Sequence, residues 1–269
     1  EKAITDNGGD VWYNSEVVKF LYNEDGSCAG VQLKSGEKIY AKEIISNVIP
    51  NNVYAMSDVK YVPEKELRLA NSRTLGLSFV TVYLGMDCSK EELGVEDYTT
   101  FITTYANPRE CYNHRNEGAY YVVNCHNVAI PDASPEGTCM LFYTIPMMEE
   151  DFPKDLKPEE YKKWKNSLAK RFIEDSEKVL GIDITSHIEE IEVATPVTFA
   201  RYLGTPAGEI YGYQMAGWDS ILPRIMAAPT DFTVKNLSYC GGHAERGDGY
   251  SCAYMTGMLT GDAVVRRLK

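Results

Sequence analysis

Apolar and polar positions alternate with period two near the start of the chain. Val11 and Tyr13, then Val17, Lys19 and Leu21, step across a pleat and predict strands. Asn23-Glu24-Asp25-Gly26 is a hairpin turn, because Asp-Gly accepts the positive φ such turns need. A return strand follows at Gly30–Leu33, a second turn at Ser35-Gly36-Glu37, and a third strand at Ile39–Ala41. The run Glu43-Ile44-Ile45-Ser46-Asn47 suits a short buried strand. Ahead of this meander, Ala3 and Ile4 read as a last helical turn stopped by Asn7-Gly8-Gly9.

The pattern changes at Pro50-Asn51-Asn52, the first expected boundary. A helix is predicted over 63–73, and strands over 78–84, 98–105, 119–127 and 138–144. Pro158 to Leu180 carries the clearest helical period, with Tyr161, Trp164, Leu168, Phe172 and Val179 on one face and Gly181 as its stop. Ile188 to Phe199 reads as a strand interrupted at Pro196, and 201–235 mostly as loop. A short strand at 237–240 and a helix from Tyr250 to Leu268 end the chain. The expected division is 1–49 with 236–269 as one domain and 50–235 as a second, an α+β insertion between two α/β pieces.

Composition narrows the chemistry. The 269 residues carry a formal charge of −12, which disfavours nucleic acid and anionic membrane surfaces. The seven cysteines are scattered without a CxxC pair, which suits free thiols in a reducing compartment. No apolar run approaches the ~20 residues of a membrane span. A cytoplasmic location is expected, with peripheral contact to a membrane through the lysines beside the 164–172 stripe as an option that neighbouring acids oppose. His114, His126 and His187 lack an HxxxH spacing, so no metal site is expected, and no GxSxG elbow is present.

The segment from Leu237 to Tyr250 is the most informative. A strand leads into Gly241-Gly242-His243-Ala244-Glu245-Arg246-Gly247-Asp248-Gly249 and then into a helix. Exposed backbone N–H groups and a helix N-terminus there favour a phosphate or a polarised oxygen. Gly247-Asp248-Gly249 approximates a dinucleotide fingerprint, but Cys252 stands where its third glycine belongs, and no second strand follows. His243 and Glu245 read as solvated loop residues with acid–base chemistry as the less favoured role.

Taken with Gly8-Gly9, Glu16-Val17-Val18, the Gly30-Val31 and Gly36 turns and the strand ending Ser46-Asn47, this loop resembles the flavin-containing amine oxidase superfamily. The similarity is to its branch of phytoene desaturases, carotenoid isomerases and retinol saturases. The resemblance implies a mixture of α/β and α+β structure. A partial FAD/NAD(P)-binding, Rossmann-like domain would be built from the two chain ends, with an inserted α+β substrate domain carrying a mixed sheet. It implies FAD contacts from Val17 and Val18 at the adenine edge, and from Gly241, Gly242, Asp248, Gly249 and Tyr250 near the flavin. Pro196–Tyr202 and Gly204–Gly212 resemble the approach to the substrate cavity, which Tyr211, Tyr213 and Trp218 would line.

The GxGxxG unit of that family is absent from these residues. The chain is therefore expected to be a C-terminal portion that holds FAD weakly or not at all and self-associates where the missing N-terminal segment would pack. The implied activity is oxidoreduction at C–C bonds of a lipophilic, isoprenoid-like polyene. No side chain is assigned as catalytic. An amine or porphyrinogen oxidase, or a non-catalytic binding module, are the alternatives.

Overall fold

The structure is a computed structural model, and it describes residues 1–227, 234–244 and 249–269. Two compact units emerge: 1–74 with 211–269, and 75–210. The sequence junctions expected near 50 and 235 fall inside the first unit's two segments.

The first unit begins with α1 (Lys2–Thr5), β1 (Val17–Tyr22), β2 (Cys28–Leu33), β3 (Lys38–Tyr40), β4 (Ile44–Ser46), α2 (Pro50–Ala55) and α3 (Glu64–Ser72). β1, β2 and β3 form an antiparallel meander with Val17 opposite Leu33 and Val31 opposite Ile39. The expected strand at 11–13 does not form; the meander begins at Val17, and Asn14 sits at φ 54°, outside extended backbone. Pro50, expected as a boundary, opens a helix instead. It occupies the first turn of α2, where its missing N–H leaves no helical bond unmade.

The second unit runs β5 (Ser78–Met86), α4 (Lys90–Leu93), β6 (Thr99–Thr103), α5 (Pro108–Asn113), β7 (Tyr120–Cys125), α6 (His126–Ala129), β8 (Cys139–Met147), α7 (Pro158–Leu180), β9 (Ile188–Ala194) and α8 (Pro196–Leu203). Five strands form one sheet in the order β6-β7-β8-β5-β9. The expected sheet was mixed; every pairing in this one is antiparallel. Helix α7 covers one face. Its buried stripe is Ala169, Phe172, Ile173 and Ser176, with Trp164 and Leu168 half-buried at the edge of the core. Val179 lies off this stripe and is exposed. Phe172 meets Tyr121 edge-on at 4.8 Å between ring centres, and Tyr143 reaches Ser176 Oγ at 2.7 Å. These contacts knit helix to sheet with both apolar area and satisfied polar groups.

The strand expected over 188–199 ends at Ala194. Pro196 starts α8, and the backbone N–H of Thr195 donates to Thr198 Oγ1 at 3.1 Å. A proline in a β-like run is thus a helix start here, its φ preset for the first turn. Two hydrogen bonds mark where the chain leaves and re-enters each unit. Gln214 N donates to the carbonyl of Thr74 in the first unit, and Ile210 N to that of Leu77 in the second.

The first unit closes with α9 (Ile221–Ala227), β10 (Leu237–Tyr239) and α10 (Gly249–Leu268). α9 interrupts the segment expected to be mostly loop. β10 lies parallel to β4, Leu237 opposite Ile44 and Tyr239 opposite Ser46. This parallel pair is what the first unit shares with an α/β fold, and it fixes the place of the glycine loop.

Candidate cofactor-facing site

β4 and β10 run in the same direction, so both carboxyl ends open at one edge. In parallel sheets that edge is where ligands bind. The chain leaves it as Cys240, whose N–H donates to the carbonyl of Ser46 at 2.9 Å, and then turns through Gly241. Gly241 has φ 86°, and a Cβ there would lie 1.7 Å from Asn47 Oδ1. Only glycine fits both the backbone angle and the Asn47 side chain laid against it. From the other side Thr256 of α10 clasps the same residue: Gly241 N–H donates to Thr256 Oγ1 at 3.1 Å. Gly212 completes the enclosure. Its φ is 66°, and a Cβ would come within 1.9 Å of the Gly242 carbonyl.

Beneath the loop lies a buried polar support. Arg73 at the end of α3 donates to Asp219 at 3.0 and 3.2 Å, and Arg224 of α9 donates to the same carboxylate at 2.7 Å. Arg224 also caps the carbonyls of Tyr213 and Gln214 at 3.1 and 2.9 Å. All three charged groups are buried. Two guanidiniums sharing one carboxylate and two carbonyls satisfy charges that would be costly alone. They hold the 213–219 segment under His243, whose ring meets Tyr213 edge-on at 5.8 Å. Burial, followed by the neighbouring Tyr54, pushes the Tyr239 phenol well above its ordinary range, so this side chain adds no charge.

The expected site residues divide. Gly241 and Gly242 sit in the enclosed loop. Gly249 starts α10 at φ 83°, and among the described residues nothing lies within 4 Å of where a Cβ would stand. Tyr250 is 83% exposed. Asp248 lies outside the described residues. Val17 and Val18 are on β1, Val18 being 39% exposed. The same unit carries both: Cys28 N of β2 donates to the carbonyl of Lys235, two residues before β10, at 2.8 Å.

Tyr211 is half-buried and Trp218 is 57% exposed. Tyr213 is fully buried, with its phenol on Asn51 and Arg73 over its ring. It acts as a post beneath the loop. Asn47 and Thr256 escaped the sequence reading as site residues, whereas Gly212 belongs to the segment read as the approach to the substrate cavity. Asn47 had a signal, since it ends the Ser46-Asn47 strand; Thr256 had none short of the tertiary structure.

A separate groove of about 510 Å³ lies in the second unit between α7 and β9. Its floor is Ala169, Ile173 and Val193, and Lys162, Lys165 and Lys170 stand along it.

No described helix is long and apolar enough to cross a membrane. No family model matches the chain. Among curated proteins it is 26% identical to the chloroplastic prolycopene isomerase of Daucus carota, over 99% of this chain and 42% of that protein. It is 27% identical to the all-trans-retinol 13,14-reductase of Danio rerio, over 96% of this chain and 46% of that one. The chain thus spans less than half the length of these relatives. Among solved structures, a putrescine oxidase triple mutant redesigned in cofactor binding shares the fold, with a TM-score of 0.60 and 14% identity over 98% of this chain and 51% of that one. In sequence the chain is thus similar to part of a carotenoid isomerase and of a retinol reductase, and in fold to part of an amine oxidase.

Proposed function

We propose that this chain forms the flavin-facing cap and substrate domain of an FAD-dependent oxidoreductase acting at C–C bonds of a lipophilic, isoprenoid-like polyene. The observation that carries the cofactor half is the glycine loop, held by Asn47 and Thr256 at the carboxyl ends of the parallel β4/β10 pair, ahead of α10. Sequence similarity to a carotenoid isomerase and a retinol reductase carries the substrate half.

The residues present fit part of FAD. Gly241, Gly242 and the start of α10 at Gly249 offer backbone N–H groups and a helix dipole to polarised oxygens. Val17 and Val18 offer an apolar edge. A full dinucleotide cradle needs a GxGxxG unit, which these 269 residues lack. When bound, FAD supplies hydride transfer to or from carbon. The protein's share is to hold the loop still on its buried ionic support and exclude water. Rigid backbone donors aimed at a developing charge do this without reorganising.

Exposed Tyr250, Tyr254 and Met258 on α10 give a unit bearing GxGxxG an apolar surface to pack on. Without that unit the chain self-associates through the same surface. A cytoplasmic address, with at most peripheral membrane contact, goes with this reading and is read by cell fractionation.

The test is an FAD titration followed by calorimetry and flavin fluorescence. This chain alone should bind weakly or not at all, and a longer version carrying an upstream GxGxxG unit should bind tightly. That longer version should turn over polyenes and leave amines unchanged. Tight stoichiometric binding by the 269 residues alone, or turnover of amines only, would overturn the reading.

A further inference from the structure

The second unit brings together three donor groups of different chemistry. Asp87 and Cys88 follow directly on β5, and His187 directly precedes β9. One ligand atom from each lies within 4.8 Å of the other two. His187 Nδ1 is 2.9 Å from Asp87 Oδ1. The backbones are fixed as well, since Asp87 N donates to the carbonyl of His187 at 3.0 Å. β5 and β9 are neighbours in the sheet, so their pairing sets this spacing independently of the side chains.

The surroundings suit a cation. Cys88 is buried and its thiol is free of any disulfide. Glu92 and Asp183 add negative potential around His187. Asp87 and His187 are partly exposed, which leaves an entry path from solvent. Oxygen, thiol sulfur and imidazole nitrogen in one cluster form a borderline-soft set. Tetrahedral zinc, with bonds of about 2.0–2.3 Å, spaces its ligand atoms about 3.5 Å apart. The observed separations, 2.9 Å between His187 Nδ1 and Asp87 Oδ1 and none above 4.8 Å, bracket that spacing.

We infer that Asp87, Cys88 and His187 form a binding site for a divalent cation of the zinc class, with the fourth position left to water. The site is independent of the proposed flavin chemistry. It bridges the ends of an edge strand and its neighbour, and so pins that corner of the sheet.

The test uses the full chain, reduced and stripped of metal with a chelator. Cobalt(II) is titrated as a spectroscopic probe and then displaced by zinc(II). One equivalent should produce thiolate-to-cobalt absorption, and Cys88→Ser should abolish it. Because Cys88 is buried, His187→Gln and Asp87→Asn serve as variants on the exposed side, their folding checked by circular dichroism. Each should weaken zinc binding by about tenfold or more, while Cys252→Ser should leave it unchanged. The inference fails if cobalt gives no thiolate band, if the band survives Cys88→Ser, or if folded His187→Gln binds zinc like the parent chain.

Discussion

Gly241 shows how a single residue carries the candidate site. Its positive φ and the Asn47 oxygen against it both exclude a side chain. Gly241→Ala should therefore lose more than about 1 kcal/mol of stability, the usual cost of forcing alanine into this region, with the clash added. Gly217 is the control, since it has neither a positive φ nor any atom within 4 Å of a Cβ. Gly217→Ala should be neutral, or stabilising by up to about 1 kcal/mol. Urea unfolding of both variants measures this, and equal losses would remove Gly241 from its role. Residues at this scale were partly legible. The glycines announced a loop, because their type is itself a backbone statement. Asn47 lying over Gly241, and Arg73 on Asp219, were not, because each pairing joins residues far apart in sequence.

Among elements, the packing of α7 on the sheet has the clearest titratable signature. Tyr143 is buried with its phenol on Ser176, and burial pushes its pKa up to about 12. In the unfolded chain tyrosine titrates near 10. The folded state thus holds its proton more tightly. This contribution is intact below pH about 10 and is lost as pH rises from there through the folded value. Two units correspond to about 2–3 kcal/mol. Tyr121, raised first by burial and then by its bond to Asp175, adds to the same alkaline loss. Stability measured by urea unfolding from pH about 9 to 12 should fall, and Tyr143→Phe should fall less steeply. Parallel slopes for the two proteins would refute this assignment. The elements themselves were mostly readable: alternation found β1, strands were expected at β2, β5 and β8, and the 3.6 period found α7. Two of the misses share a cause. Pro50 and Pro196 were read as interruptions, yet proline is equally at home in the first turn of a helix, and only the following residues' packing decides.

For the whole molecule, the two-unit organisation leads to a direct expectation. The second unit has its own sheet, its own core under α7, and ends tied together through Leu77 and Ile210. Residues 75–210 expressed alone should fold cooperatively, with sharp thermal unfolding and dispersed amide resonances. A molten, non-cooperative fragment would show that its core depends on the rest of the chain. Sequence reading found an insertion between two ends but set its borders at composition changes. Hydrogen bonding sets them at Thr74–Gln214 and Leu77–Ile210, a relation that no local pattern encodes.

The tie between Leu77 and Ile210 also bears on the order of assembly. β4 pairs with β10 only when Ile44 meets Leu237, a closure that spans most of the chain. If the inserted unit has already folded, the disordered loop to be closed shrinks to its two flanks. Loop entropy grows with the logarithm of length, so this lowers the closing cost by about 1 kcal/mol. The turn at Gly241 that follows β10 would then take shape on a scaffold whose inserted half has already matured.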